Sequence, residues 1–138
     1  MNIDSIQNGV VIDHITAGRG MKLYDLLGLD KLDCSVAIIK NVNSGKMGKK
    51  DIIKIDAEIP VNLDVIGYVD PGATVNIIHG GELTEKRTIE MPETLTNVIK
   101  CKNPRCITSV EQELDHIFKL TDKAEKVYRC IYCETKAK

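Results

Sequence analysis

Short apolar stretches, many of them β-branched and separated by turns containing glycine or proline, dominate the first ninety residues. This pattern predicts five strands, over residues 10–15, 34–42, 50–56, 73–79 and 82–90. Apolar residues three apart over 21–28 predict a short helix that ends at a glycine, and residues 62–68 predict a second helix capped by Asn62. The order β-α-β-β-α-β plus one strand predicts an α+β fold, a ferredoxin-like antiparallel sheet with two helices on one face.

The pattern changes at Met91-Pro92-Glu93-Thr94, where a proline interrupts the last predicted strand. We therefore expect two domains, residues 1–92 and a small β-rich domain over residues 96–138. Composition is that of a globular protein, with 43% hydrophobic and 28% charged residues and a net charge of −1. No apolar run approaches the ~20 residues of a membrane helix, and no signal peptide is recognisable. These features predict a soluble cytoplasmic protein without a membrane partner.

Two cysteine pairs carry the strongest chemical signal. Cys101 and Cys106 form C-x4-C, Cys130 and Cys133 form C-x2-C, and 23 residues separate the pairs. Such spacing favours one tetrahedral Zn2+ ion, and four thiolate ligands predict a closed, structural site. Disulfides or free core cysteines are the alternatives, and a reducing compartment disfavours disulfides.

Two further residues of metal-ligating type, Cys34 and His116, are expected to lie outside the metal site. Cys34 stands alone on a predicted apolar strand and is expected to be a small core residue. His116 would be a fifth ligand, so we expect a surface or partly buried histidine instead.

Several lysines follow a glycine-rich loop in the first domain. Lys50 and Lys54 are four residues apart on a predicted strand, so both side chains point to the same face. Two neighbouring ammonium groups suit a polyphosphate ligand. The alternative is a solvated edge strand protected by lysines. No P-loop, dinucleotide-binding fingerprint or nucleophile motif is present, which leaves little support for a kinase or hydrolase.

Several stretches, in order, resemble a known family. They are Val11-Ile-Asp-His-Ile15, Ser44-Gly-Lys-Met-Gly-Lys-Lys-Asp-Ile-Ile-Lys-Ile55, Ala73-Thr-Val-Asn76 and the two cysteine pairs. Over essentially its whole length the chain resembles the regulatory chain of aspartate carbamoyltransferase. The resemblance implies a non-catalytic allosteric subunit of pyrimidine biosynthesis. It also implies binding of CTP and UTP as inhibitors and of ATP as activator, regulatory homodimers, and docking of the zinc domain onto catalytic chains.

The resemblance also implies site residues and reverses the edge-strand interpretation of the lysines. The nucleotide-binding residues that it implies are Asp4, Ile6, Val11, Asp13, His14, Lys50, Lys54, Asn76 and Lys86. The docking residues that it implies are Asn103, Arg105 and Glu134, although the family carries an asparagine at the position of Arg105. Gly80-Gly81 also departs from the family, which places there a tyrosine that touches the base.

A second function remains open at this point. Residues 96–138 hold nine Lys and Arg against six Asp and Glu. A zinc-ribbon module that binds nucleic acid would use such cations, here Lys102, Arg105, Lys119, Lys123, Lys126 and Arg129. The resemblance favours the regulatory chain, for which no nucleic-acid partner is expected.

Overall fold

The computed structural model describes residues 6–137. The chain forms two compact units, Met1–Glu90 and Met91–Lys138. None of the helices in the described part of the chain has the length and apolarity to cross a bilayer.

The first unit is built on one antiparallel sheet. Its strands are β1 (Gly9–Thr16), β2 (Val36–Ser44), β3 (Gly48–Ile55), β4 (Thr74–His79) and β5 (Glu82–Thr88). They lie in the order β2-β3-β1-β4-β5. The first four form the ferredoxin-like arrangement, with β5 added beside β4, so the predicted fold class is confirmed.

Two short helices and a 3-10 turn complete this unit: α1 (Gly20–Leu26), the 3-10 helix Leu29–Lys31 and α2 (Leu63–Val69). The predicted cap of α2 is confirmed, because the Asn62 side chain accepts hydrogen bonds from the N–H groups of Asp64 and Val65. Helix α1 packs against α2, β2 and β3.

One face of the sheet forms the core with these helices. On β3 the buried side chains alternate with half-buried ones, as the period of two requires. Ile12, Ile53, Ile55, Val75 and Ile66 are fully buried. Each such aliphatic side chain stabilises the fold by roughly 1.5–3 kcal/mol relative to exposure.

Several boundaries differ from the sequence prediction. The loop between the strands predicted over 34–42 and 50–56 is shorter than expected, because β2 continues to Ser44 and β3 begins at Gly48. Helix α1 ends at Leu26, two residues before the expected glycine. Cys34 is half-buried and precedes β2, so its placement on a strand was wrong.

The second unit has a three-stranded antiparallel sheet in the order β6-β7-β8. Its elements are β6 (Thr94–Thr96), α3 (Ile107–Val110), β7 (Ile117–Asp122) and β8 (Val127–Cys130). Leu95, Phe118 and Tyr128 are its large buried apolar side chains within the described residues. The Tyr128 hydroxyl donates to the Pro92 carbonyl at 2.6 Å.

Candidate metal centre and open sheet face

The four cysteines of the second unit converge on one point. Their Sγ atoms all lie within 4.8 Å of one another. Cys101 Sγ is 3.5 Å from Cys133 Sγ, and Cys106 Sγ is 3.7 Å from Cys130 Sγ. Ligands about 2.3 Å from a tetrahedral zinc stand about 3.8 Å apart, so this donor set fits such an ion. The spacing is far longer than the ~2 Å of a disulfide bond.

Backbone and hydroxyl donors surround the sulfurs. The Asn103 N–H faces Cys101 Sγ, and the N–H groups of Tyr132 and Cys133 face Cys130 Sγ. The Thr108 hydroxyl lies 3.1 Å from Cys106 Sγ. Each tight turn therefore aims donors at its sulfurs, as charged thiolates require.

The thiols are electrostatically unequal. Burial raises the pKa of the Cys101 thiol to about 12, and burial also raises the pKa of Cys130. The Thr135 hydroxyl and N–H lower the pKa of Cys133 to about 6. Neighbouring thiols resist ionising together, because their negative charges repel. A bound cation would offset this repulsion and stabilise all four groups as thiolates.

His116 positions a ligand but does not join the cluster. Its Nδ1 accepts a hydrogen bond from the backbone N–H of Cys101 at 3.3 Å. The residue is half-buried, as expected from the sequence. The histidine thereby holds the start of the first knuckle in place.

The second candidate site is the open face of the first sheet, the face opposite the buried side chains. Lys54 pairs with Val11, Val11 with Asn76, and Asn76 with Lys86, across β3, β1, β4 and β5. Residues directly opposite each other in a sheet point to the same side. Four of the expected nucleotide-binding residues therefore form one row. Since β3 lies between β2 and β1, its lysines do not protect a sheet edge.

A β-bulge places Asp13 and His14 together beside this row. The register of β1 against β3 shifts between Ile12 and Ile15, and His14 has φ 58°. The His14 N–H donates to Asp13 Oδ1 at 2.6 Å, and His14 Nδ1 lies 3.1 Å from Thr74 Oγ1. The bulge turns two successive side chains towards the open face, which a regular strand cannot do.

Asp13 also forms an ion pair across the sheet. The Lys50 ammonium lies 3.0 Å from Asp13 Oδ1. Burial raises the pKa of the Asp13 carboxyl, but the hydrogen bonds from Lys50 and the His14 N–H, with their charges, outweigh burial. The net pKa of Asp13 is therefore lowered, and the group is a carboxylate at neutral pH.

Asn76 leaves an acceptor unsatisfied in the middle of the row. Its Oδ1 is buried and has no hydrogen-bond partner among the described residues. A buried acceptor without a donor is costly, so such an atom marks a place where a ligand or water donor belongs.

Ile6, the second apolar member of the expected set besides Val11, lies next to Gly9 at the start of β1. Ile6 is buried, and its Cγ2 atom would be 2.8 Å from a Cβ at residue 9. Glycine at position 9 therefore allows Ile6 to lie against β1. Asp4, also expected in this set, lies outside the described residues.

Sequence reasoning missed Asp51, which ties the start of α1 and the strand β2 to β3 on the core side of the sheet. It is fully buried on β3 between Lys50 and Ile52. Its carboxylate accepts 3.0 Å hydrogen bonds from three backbone N–H groups, those of Gly18, Gly20 and Asn41. The sequence does hold a signal for this residue. Asp51 is two residues before Ile53 and four before Ile55, so the alternation along β3 places its side chain on the buried face.

The expected docking residues lie on the knuckles of the metal centre. Asn103 Oδ1 accepts from the Arg105 N–H at 3.0 Å, and Arg105 is exposed. Glu134 has φ 63° and its carbonyl accepts from Arg129 at 2.9 Å. The three residues therefore lie on the turns that carry the cysteines, and their docking role stays a prediction.

The first unit has a sheet face rich in lysine, which is typical of a ligand-binding module. The second unit has a cluster of four cysteines, which is typical of a metal-binding module. The family described as aspartate carbamoyltransferase regulatory chain, allosteric domain, matches residues 1–90. The family described as aspartate carbamoyltransferase regulatory chain, metal binding domain, matches residues 93–138. The two matches adjoin one another along the chain, as the two units do.

Curated relatives carry the same name, "Aspartate carbamoyltransferase regulatory chain". One from Clostridium botulinum is 48% identical over 134 residues, 97% of this chain and 92% of its own length. One from Clostridium tetani is 48% identical over 135 residues, covering 97% and 94%. One from Bifidobacterium longum is 41% identical over 138 residues, covering 100% and 99%.

The chain therefore belongs to the family of aspartate carbamoyltransferase regulatory chains, which are regulatory rather than catalytic subunits. The resemblance inferred from the motifs is confirmed. The comparisons do not favour the nucleic-acid-binding alternative.

Proposed function

We propose that the open sheet face binds nucleoside triphosphates and that the metal unit transmits their effect to docked aspartate carbamoyltransferase catalytic chains. CTP and UTP would act as inhibitors and ATP as activator of pyrimidine biosynthesis. The observation that carries the proposal is the single cross-strand row Lys54–Val11–Asn76–Lys86.

Charge supports a polyphosphate ligand. Lys50, Lys54 and Lys86 lie on this face, and Asp13 pairs with Lys50. Three ammonium groups on one face suit a polyphosphate, because its several negative charges can be bound together. Ammonium groups bind phosphate oxygens through charge-assisted hydrogen bonds worth roughly 1.5–3 kcal/mol each.

Polar groups on the same face support a ligand that also carries hydroxyl or amino groups. The unsatisfied Asn76 Oδ1 requires a donor, which a ribose hydroxyl or a base amino group supplies. Asp13 offers a further acceptor beside it. A nucleotide combines these donors with phosphates, whereas an inorganic polyphosphate does not.

The metal unit supports docking. We propose one structural zinc per chain, because four thiolates leave no open coordination position. Large apolar side chains close to the knuckles are exposed: Ile107, Val110, Ile131 and Tyr132. Exposed apolar residues beside Asn103, Arg105 and Glu134 suit a protein interface with the catalytic chain. A homodimer of regulatory chains would join two such interfaces in a cytoplasmic holoenzyme.

The test is Lys54→Ala in the reconstituted holoenzyme, measured by aspartate saturation with and without CTP and ATP. Nucleotide affinity is expected to fall about tenfold or more, and the response should fall with it. Basal activity should remain, because it depends on the catalytic chains. Lys86→Ala is a second variant with the same expectation.

Lys49→Ala is the matched control, since Lys49 lies on the same strand but its ammonium donates to Asn43 at 2.7 Å. A normal nucleotide response in both Lys54→Ala and Lys86→Ala would contradict the proposal. Carbamoyltransferase turnover by the purified chain, free of catalytic subunit, would contradict its non-catalytic role.

A further inference from the structure

The segment before β1 is tied to the turn between β4 and β5. The Gly81 N–H donates to the Gln7 carbonyl at 2.8 Å, and the Gly80 N–H donates to Asn8 Oδ1 at 3.0 Å. Gly80 and Gly81 have φ of 61° and 79°, the two left-handed residues of a type I′ hairpin turn. The backbone of Gln7 is thereby fixed at one end of the sheet.

The Gln7 side chain lies where a side chain of residue 81 would stand. A Cβ built on Gly81 would be 3.0 Å from Gln7 Oε1 and 3.6 Å from Gln7 Nε2. Gln7 itself is exposed. Glycine at 81 therefore leaves room for a carboxamide that lies over the turn and is open to solvent.

This end of the open face differs chemically from the row of lysines. It consists of Ile6, Gly9, Ile78 and Leu83, with Gly9 and Leu83 both opposite Ile78. Ile78 is two residues from Asn76, about 7 Å along the strand. Within the described residues, the face thus pairs a cationic middle with an apolar end, beside which the Gln7 carboxamide lies.

We propose that the Gln7 carboxamide hydrogen-bonds the edge of the nucleobase and sets base specificity. The inference rests on the proposed nucleotide-binding function, which supplies the ligand. Phosphates belong beside the lysines, so the uncharged base occupies the apolar end. A glutamine carboxamide is at once donor and acceptor, and it can pair with the amino and ring-nitrogen groups of a base.

The first test is Gln7→Leu in the full-length chain, with binding of CTP, ATP and inorganic tripolyphosphate measured by calorimetry. Leucine removes the amide but keeps the backbone carbonyl that accepts from Gly81. Affinity for CTP and ATP is expected to fall roughly threefold to tenfold, the range for one uncharged hydrogen bond. Affinity for tripolyphosphate, which has no base, should not change. Gln112→Leu, an exposed glutamine of the metal unit, is the matched control.

The second test is Gln7→Glu, which can accept but not donate a hydrogen bond at neutral pH. The new negative charge weakens the binding of every triphosphate, so the readout is the ratio between the affinities for different nucleotides. CTP should gain relative to UTP, which carries a carbonyl in place of the amino group at position 4, because a carboxylate accepts from an amino group and repels a carbonyl oxygen.

The outcomes separate the two proposals. Wild-type protein that binds no nucleoside triphosphate would overturn the proposed function and this inference with it. Wild-type binding with unchanged CTP and ATP affinities in Gln7→Leu would overturn the inference alone. An equal loss for nucleotides and tripolyphosphate would show that Gln7 only orders the segment, and it would also overturn the inference.

Discussion

The two units are stabilised by different physical means. The first buries a set of aliphatic side chains between a five-stranded sheet and two helices, whereas the described part of the second buries Leu95, Phe118 and Tyr128 with two cysteines. A core this small is marginal by itself. Metal binding by four thiolates contributes folding free energy directly, so we expect the proposed zinc to do in the second unit what aliphatic burial does in the first. Where hydrophobic area is scarce, coordination bonds replace it.

Cys130→Ser is expected to have the largest effect, and to affect the second unit but not the first. Losing one thiolate removes much of the ~10 kcal/mol or more that zinc contributes in small zinc domains. The second unit should unfold, zinc should be lost, and assembly with catalytic chains should fail, while the first unit stays folded. Zinc content and hydrogen exchange of each unit measure this.

Cys34→Ser is the matched control, because Cys34 lies in the first unit and outside the metal cluster. It should retain full zinc content. A Cys130→Ser protein that keeps its zinc and still assembles would contradict the four-thiolate centre.

Asp51→Asn tests how much a buried carboxylate contributes to the stability of the first unit, beside its aliphatic core. The carboxylate accepts three backbone N–H groups at 3.0 Å. An asparagine presents an amide N–H to at least one of them. We expect a loss of about 1–3 kcal/mol in unfolding free energy of the first unit, measured by denaturant titration, with zinc content unchanged.

Asp25→Asn, an exposed aspartate on α1, should leave the stability of the first unit within error. Equal stability of Asp51→Asn and wild type would mean that aliphatic burial alone determines this unit.

Asp13→Asn should have the smallest effect, and it should depend on pH. The folded pKa of Asp13 is lowered, so its charge stabilises the fold above the ordinary value near pH 4 and this contribution disappears as pH falls through the folded pKa. The wild type should therefore exceed the variant in stability at pH 7, and the two should converge in acid. Thermal unfolding from pH 7 to pH 2 measures this, and a constant difference would exclude the ion pair as its source.

Much of the candidate metal centre was predictable, because the spacing of the cysteines along the sequence indicates it. Two close cysteine pairs need only tight turns to present four sulfurs, and tight turns are local. The strand pattern was predictable for the same reason, since a period of two is a local property. Boundaries shifted where a turn proved shorter than its composition indicated, as between Ser44 and Gly48.

The open face was predictable only through the family resemblance. Lysines four apart on a strand share a face, but the residues alone did not distinguish a ligand site from a protected edge. Strand order decided this, since β3 is an interior strand. Strand order depends on contacts between residues far apart in sequence, which local pattern does not encode.

By itself, the amino-acid sequence determined the division into two modules, the alternating strands and the two close cysteine pairs of the candidate metal centre, because each depends on neighbours in the chain. Only the tertiary structure decided that Lys54, Val11, Asn76 and Lys86 share one row, that a bulge turns Asp13 and His14 to the same side, and that Gln7 lies over Gly81. These arrangements depend on register between strands, and a shift of one residue reverses the face of every side chain.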